Sequence, residues 1–228
     1  MRVYFSGTHG SGKSTLITKL VESYPDTFHT FERMDCPKQD DSLTRGKIRI
    51  ARYYIESFME QELERKNPDK ILLADRFVYD SLIYSAACVD LGWMGKKEYD
   101  GFLGAYNCFF GEADYPQNVV FVNPSLERTI AQIKNRWEKK GEKKWREEDF
   151  SYLSAVKATY ESWFRNREML GLLGMNLRGD KGSLRVLELN DEPLEEKVLR
   201  VAEWCRQGLK MNGLGSMGDV EKQYALAR

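Results

Sequence analysis

A chain of 228 residues, 42% hydrophobic and 31% charged, has the length and composition of one globular domain with a buried core. Basic and acidic side chains number 35 each, so no global positive field points to polymeric nucleic acid or a membrane surface as partner. No apolar run is long enough to span a bilayer or to serve as a signal sequence, and Cys36, Cys88, Cys108 and Cys205 are too dispersed for a zinc site; buried free thiols in a reducing cytoplasm are the expectation.

In chain order, residues 2–6 read as a first strand and 13–23 as a helix with Leu16, Ile17, Leu20 and Val21 on one face. A second strand is expected over 27–33, and a long helix over 45–65, stopped by Asn67 and Pro68. Residues 71–75 form a short apolar run suited to a buried strand, with a helix over 81–91. A strand over 119–123, helices over 126–137 and 150–167, a strand over 185–189 and a helix over 194–207 complete the pattern. This alternation predicts an α/β fold with a five-stranded, mostly parallel sheet flanked by helices and joined by right-handed crossovers. One domain is expected over 1–208, followed by a tail over 209–228. The charge-dense stretch 138–148 and the glycine-containing stretch 212–219 are expected to move.

Between the first strand and the first helix lies Gly7-Thr8-His9-Gly10-Ser11-Gly12-Lys13-Ser14-Thr15. It fits the pattern Gly, four residues, Gly-Lys-Ser/Thr in the setting that chemistry requires. Glycines let the backbone approach phosphate oxygens closely, successive N–H groups line an anion-binding hollow, and the helix start adds partial positive charge. Lys13 is placed for the β- and γ-phosphates, and Ser14 for Mg²⁺. ATP with Mg²⁺ is the expected cofactor. The strand over 71–75 ends in Asp75, which a parallel sheet delivers to the same edge as the loop, in reach of the metal.

The run Asp75-Arg76-Phe77-Val78-Tyr79-Asp80-Ser81-Leu82-Ile83-Tyr84-Ser85 resembles the Asp-Arg-Tyr/Phe signature of thymidylate kinases, which share the P-loop kinase fold with deoxynucleoside kinases. The similarity extends through Asn135-Arg136 and Arg146-Glu147-Glu148 to Tyr160-Glu161-Ser162-Trp163. It implies that Arg76 binds the acceptor's phosphate and the transferring phosphoryl group, and that Arg136 and Arg146 belong to a short charged lid, about 137–149, that closes over ATP. It also implies a kinase of the cytoplasm acting on a small molecule, in a family whose members are often dimers. His9, Ser85 and Gln132 depart from the family pattern.

Two acceptors fit this reading. A nucleoside 5′-hydroxyl needs a base to take its proton, whereas a nucleotide phosphate needs cationic clamps. The segment Phe31-Glu32-Arg33 offers both, with Glu32 as base and Arg33 as clamp, and Arg52 on the long helix is a further candidate for holding the acceptor. The Asp-Arg-Phe run favours a nucleoside monophosphate, dTMP above all, with a deoxynucleoside acceptor as the alternative. Another small-metabolite kinase or a non-catalytic ATP-binding module are the remaining readings.

Overall fold

The computed structural model describes residues 1–34, 37, 39–109, 118–141, 146–166 and 184–211. Cys36, Lys143, Lys144 and the stretch 212–219 therefore lie outside the described residues. Five strands form one sheet: β1 (Arg2–Ser6), β2 (Phe28–Thr30), β3 (Ile71–Asp75), β4 (Asn118–Val122) and β5 (Arg185–Leu189). Their order is β2-β3-β1-β4-β5, and every pairing is parallel. The helices are α1 (Lys13–Ser23), α2 (Ser42–Lys66), α3 (Val78–Asp90), α4 (Lys96–Phe109), α5 (Leu126–Lys140), α6 (Phe150–Arg165) and α7 (Leu194–Met211).

A parallel strand is buried on both faces, and alternate side chains feed two separate cores. Val3, Phe5, Ile71, Leu73, Val120 and Val122 pack under α1 and α7 with Leu16, Leu20, Val201 and Cys205. Tyr4, Ala74, Val119 and Phe121 face the other way, onto α2, α3, α4 and α6. At the sheet centre Phe5 pairs with Asp75 and Ser6 with Phe121, which brings the ends of β1, β3 and β4 to one edge.

Most predicted elements stand within a few residues of their expected bounds. The second strand is shorter than expected, and α4 is a helix that the sequence pattern did not announce. The last helix runs on to Met211, past the expected domain end at 208. Cys88 and Cys205 are buried free thiols as expected, but Cys108 is exposed, because it lies on the outer face of α4.

Candidate active site

The loop from β1 to α1 is shaped by steric exclusion. Gly7 has φ +141°, and a Cβ there would collide with the Val122 carbonyl oxygen of the neighbouring strand. Gly12, at φ +92°, turns the chain into α1 from the left-handed region, where a side chain would be strained. Lys13 is buried and folds back over the loop, donating to the Gly7 carbonyl at 2.9 Å, the Thr8 carbonyl at 2.7 Å and the Ser11 hydroxyl at 2.9 Å.

Opposite the loop, the Ser14 hydroxyl donates to Asp75 Oδ2 at 2.8 Å. Burial alone would push the Asp75 carboxyl up, but Lys13, Arg76, Arg33 and the Ser14 hydroxyl outweigh it and hold the carboxyl below its ordinary value. Its second oxygen, Oδ1, is shut from solvent and has no hydrogen-bond partner. An ionised carboxylate with one spare oxygen beside a hydroxyl suits a hard cation that takes most of its ligands from phosphate and water. Among the described residues no cluster of three or more His, Cys, Asp or Glu could hold a metal unaided.

Arg76 follows directly and holds an unusual backbone, φ +77°, for a residue with a side chain. Its guanidinium lies over the Tyr84 ring at 4.8 Å. The start of α3 is fixed by Asp80, whose Oδ2 accepts the Phe77 N–H at 2.8 Å and the Ser6 hydroxyl at 3.2 Å, while its Oδ1 accepts the Tyr160 hydroxyl. Burial raises this carboxyl above its ordinary value. One fully buried group thus ties β1, α3 and α6 together behind Arg76.

Arg33 donates to the Asp75 carbonyl and to Glu56 Oε2, and Glu56 also pairs with Arg52 at 3.5 Å. Both guanidinium groups lie over the Tyr53 ring, at 4.7 Å and 4.8 Å. Arg136 on α5 pairs with the buried Glu147, whose other oxygen lies 3.9 Å from Nδ1 of His9. His9 also sits against Tyr84, with ring centroids 4.9 Å apart, and its Nε2 is 3.5 Å from the Tyr152 hydroxyl.

These groups surround a cavity of about 740 Å³. Of the sequence candidates, His9 through Thr15, Arg33, Arg52, Asp75, Arg76 and Arg136 line it, and Gly7 and Thr8 lie just behind as acceptors for Lys13. Two candidates lie elsewhere. Glu32 is exposed and absent from the wall. Arg146 is not placed against the glycine-rich loop: with φ +55° its guanidinium stacks over Trp93 at 4.1 Å, on the side of α3 and α6. The wall also holds residues that are not among the site candidates of the sequence. Arg128, Gln132, Asn135 and Lys139 share one face of α5 with Arg136, and Lys197 comes from α7. Their helical spacing was visible in the sequence; their closeness to the loop was not.

The family model described as "Deoxynucleoside kinase" matches residues 4–201. No curated protein sequence matches the chain. Among solved structures, a deoxyadenosine kinase from M. mycoides with bound dATP superposes with TM-score 0.66 at 16% identity, covering 90% of this chain and 99% of that one. The same enzyme with the products dCMP and a flexible dCDP gives TM-score 0.60 at 15% identity, covering 91% of this chain and 100% of that one. At such identities the structures speak for the shared fold alone. The family model spans both the phosphate loop and the arginines gathered opposite it, and on that match the chain is a nucleoside or nucleotide phosphotransferase and belongs to the deoxynucleoside kinase family.

Proposed function

We propose that this enzyme transfers the γ-phosphoryl group of ATP to the 5′-hydroxyl of a deoxynucleoside. The observation that carries this reading is the family match over residues 4–201, which favours a nucleoside acceptor over the dTMP expected from the Asp-Arg-Phe run. In this reading the loop N–H groups and Lys13 hold the triphosphate. Ser14 and Asp75 would hold Mg²⁺, which would supply positive charge to offset that of the triphosphate. Arg76 and Arg136 stabilise charge on the transferring group. Glu32 is proposed as the base for the 5′-hydroxyl from its place beside Arg33 in the chain; its exposed side chain lies off the described cavity wall and has to turn inward to serve. The cytoplasm is the proposed compartment. A homodimer is proposed through the faces of α2 and α4 where Ile55, Phe58, Met59 and Phe109 are exposed; a light-scattering mass of one chain rejects it.

One observation favours a nucleoside monophosphate as a second reading. The described cavity wall carries eight cationic side chains, Lys13, Arg33, Arg52, Arg76, Arg128, Arg136, Lys139 and Lys197, against the carboxylates Asp75, Glu147 and Glu192. That surplus exceeds the need of Mg-ATP and suits an acceptor that brings its own phosphate.

ADP release with Mg-ATP and a panel of deoxynucleosides and their 5′-monophosphates tests both. Turnover of deoxynucleosides is expected, with Lys13→Ala lowering kcat/KM by at least about a hundredfold and Glu32→Gln lowering kcat by about a hundredfold or more. Turnover of dTMP without thymidine would replace the first reading by the second.

A further inference from the structure

Behind the cavity wall, where α2 passes the loop that follows β2, one carboxylate holds two cations. Arg33 and Arg52 line the cavity, while Glu56 on α2 is fully buried and stands behind them. Its Oε2 accepts from Arg33 at 2.7 Å, and its Oε1 accepts the Met34 N–H at 3.0 Å. Arg52, one helical turn earlier, brings its Nε to 3.5 Å from Oε1. Both carboxylate oxygens are thus engaged, and both guanidinium groups lie over the same Tyr53 ring. Glu60, the next buried carboxylate along this face of α2, is committed elsewhere: it accepts the Tyr4 hydroxyl and pairs with Arg2 at 3.9 Å.

The trio carries two positive charges and one negative. Charges taken out of water persist only where opposite charges compensate them, and here each side compensates the other. Burial pulls the Arg33 guanidinium down, but Tyr53 and Glu56 outweigh it and hold it above its ordinary value, so it stays charged. Arg33 also donates to the Asp75 carbonyl, so one of its terminal nitrogens is committed to β3 and the other to Glu56. The planar fork with which a guanidinium grips a phosphate is therefore already taken up by protein groups.

Resting on the kinase reading above, we infer that Glu56 is a positioning residue that sets the charge of the accepted molecule: by tying down and neutralising Arg33 and Arg52, it favours an uncharged acceptor hydroxyl over an acceptor that brings its own phosphate. The reason is a competition between anions. A phosphate entering this corner of the cavity has to draw the two arginines from a carboxylate that is already in place and already desolvated. An uncharged nucleoside makes no such demand. The cationic surplus of the cavity wall is in this way partly cancelled from behind. Were Glu56 uncharged, the two arginines would lack part of their compensation, and the phosphate of a nucleotide would supply it.

The test compares kcat/KM for the four deoxynucleosides with that for the matching 5′-monophosphates, in wild type, Glu56→Gln and Glu56→Asp. Wild type is expected to favour the deoxynucleosides. Glu56→Gln, which keeps the shape and removes the charge, should shift the ratio toward the monophosphates by about tenfold or more. Glu56→Asp, which keeps the charge, retains the wild-type preference at lower rates. A Glu56→Gln variant that lowers both series by one common factor, the mark of a merely structural carboxylate, overturns the inference and leaves the kinase reading standing. A wild type that prefers the monophosphates also overturns it, and puts a nucleotide in place of the deoxynucleoside as acceptor. Turnover of neither series overturns the kinase reading and the inference with it. Should Glu56→Gln fail to fold, Arg52→Gln decides. It leaves Glu56 facing Arg33 and Met34 alone, so the ratio must move the other way, toward the deoxynucleosides; an unmoved ratio overturns the inference.

Discussion

Single atoms carry much of the behaviour expected of this chain. Glu60 on α2 is buried and accepts the Tyr4 hydroxyl at 2.7 Å. Burial, against the pull of Tyr4 and Arg2, pushes its carboxyl up from 4.5 to about 7. Between these values the folded chain binds a proton that the unfolded chain has released. Stability from this group is therefore full below about 4.5 and is lost as pH rises through about 7, by on the order of 3 kcal/mol. Thermal midpoints of wild type should fall across that range more steeply than those of Glu60→Gln; parallel curves would remove Glu60 as the cause. Gly7 is the second such point. Gly7→Ala meets both a positive φ and the Val122 carbonyl, so it should lose at least about 2 kcal/mol and most nucleotide affinity. Chemical denaturation and ATP titration check the two losses separately. At this scale the loop that walls one side of the cavity is legible in the sequence because its residues are contiguous, from Gly7 to Thr15. Glu56, Asp80 and Glu147 were not legible. Each is a buried carboxylate whose meaning comes from partners far along the chain, such as Tyr160 for Asp80.

The elements repeat this contrast. The strands over 2–6, 71–75 and 185–189 were read from sequence with their observed bounds, because short apolar runs next to turn residues have few other solutions. The start of α3 was placed three residues late. Its cap is not a polar side chain at the boundary but Asp80 reaching back to the Phe77 N–H, which can be seen only in three dimensions. Helix α4 escaped notice because Gly101 and Gly104 weaken its pattern, and its anchors, Phe102 and Tyr106, are few. Three other helices carry ordinary caps: Asp149 accepts the Tyr152 N–H at 3.1 Å, Asp41 the Thr44 N–H at 2.6 Å, and the Ser125 hydroxyl the Arg128 N–H at 3.3 Å. Asp149→Ala should cost about 1 kcal/mol of stability. Because α6 carries Tyr152 against His9, the same variant should also raise KM for ATP. An unchanged denaturation midpoint would show that the cap adds nothing here.

For the whole molecule, two cores on opposite faces of one sheet hold a rigid edge on which the cavity opens. Among the described residues no helix is long and apolar enough to cross a membrane. A ligand bound only by the folded state stabilises it by mass action. ATP at a hundred times its dissociation constant should add about 2.7 kcal/mol, or roughly 5–10 °C in thermal midpoint for a chain of this length. Lys13→Ala should show little of that shift. A wild-type midpoint unmoved by ATP would contradict nucleotide binding at the loop. The sheet order has a further consequence, in time rather than in space. Of the strands of this sheet, the first in chain order is the central one. β1 must wait for β3, where Arg2 meets Leu72, and then for β4, where Tyr4 meets Val119. Until both arrive, an apolar strand stands with its hydrogen-bonding edges open. Synthesis of this chain therefore passes through an interval in which a strand destined for both cores stands unpaired, and a nascent chain halted before Asn118 should be found with chaperones or in aggregates.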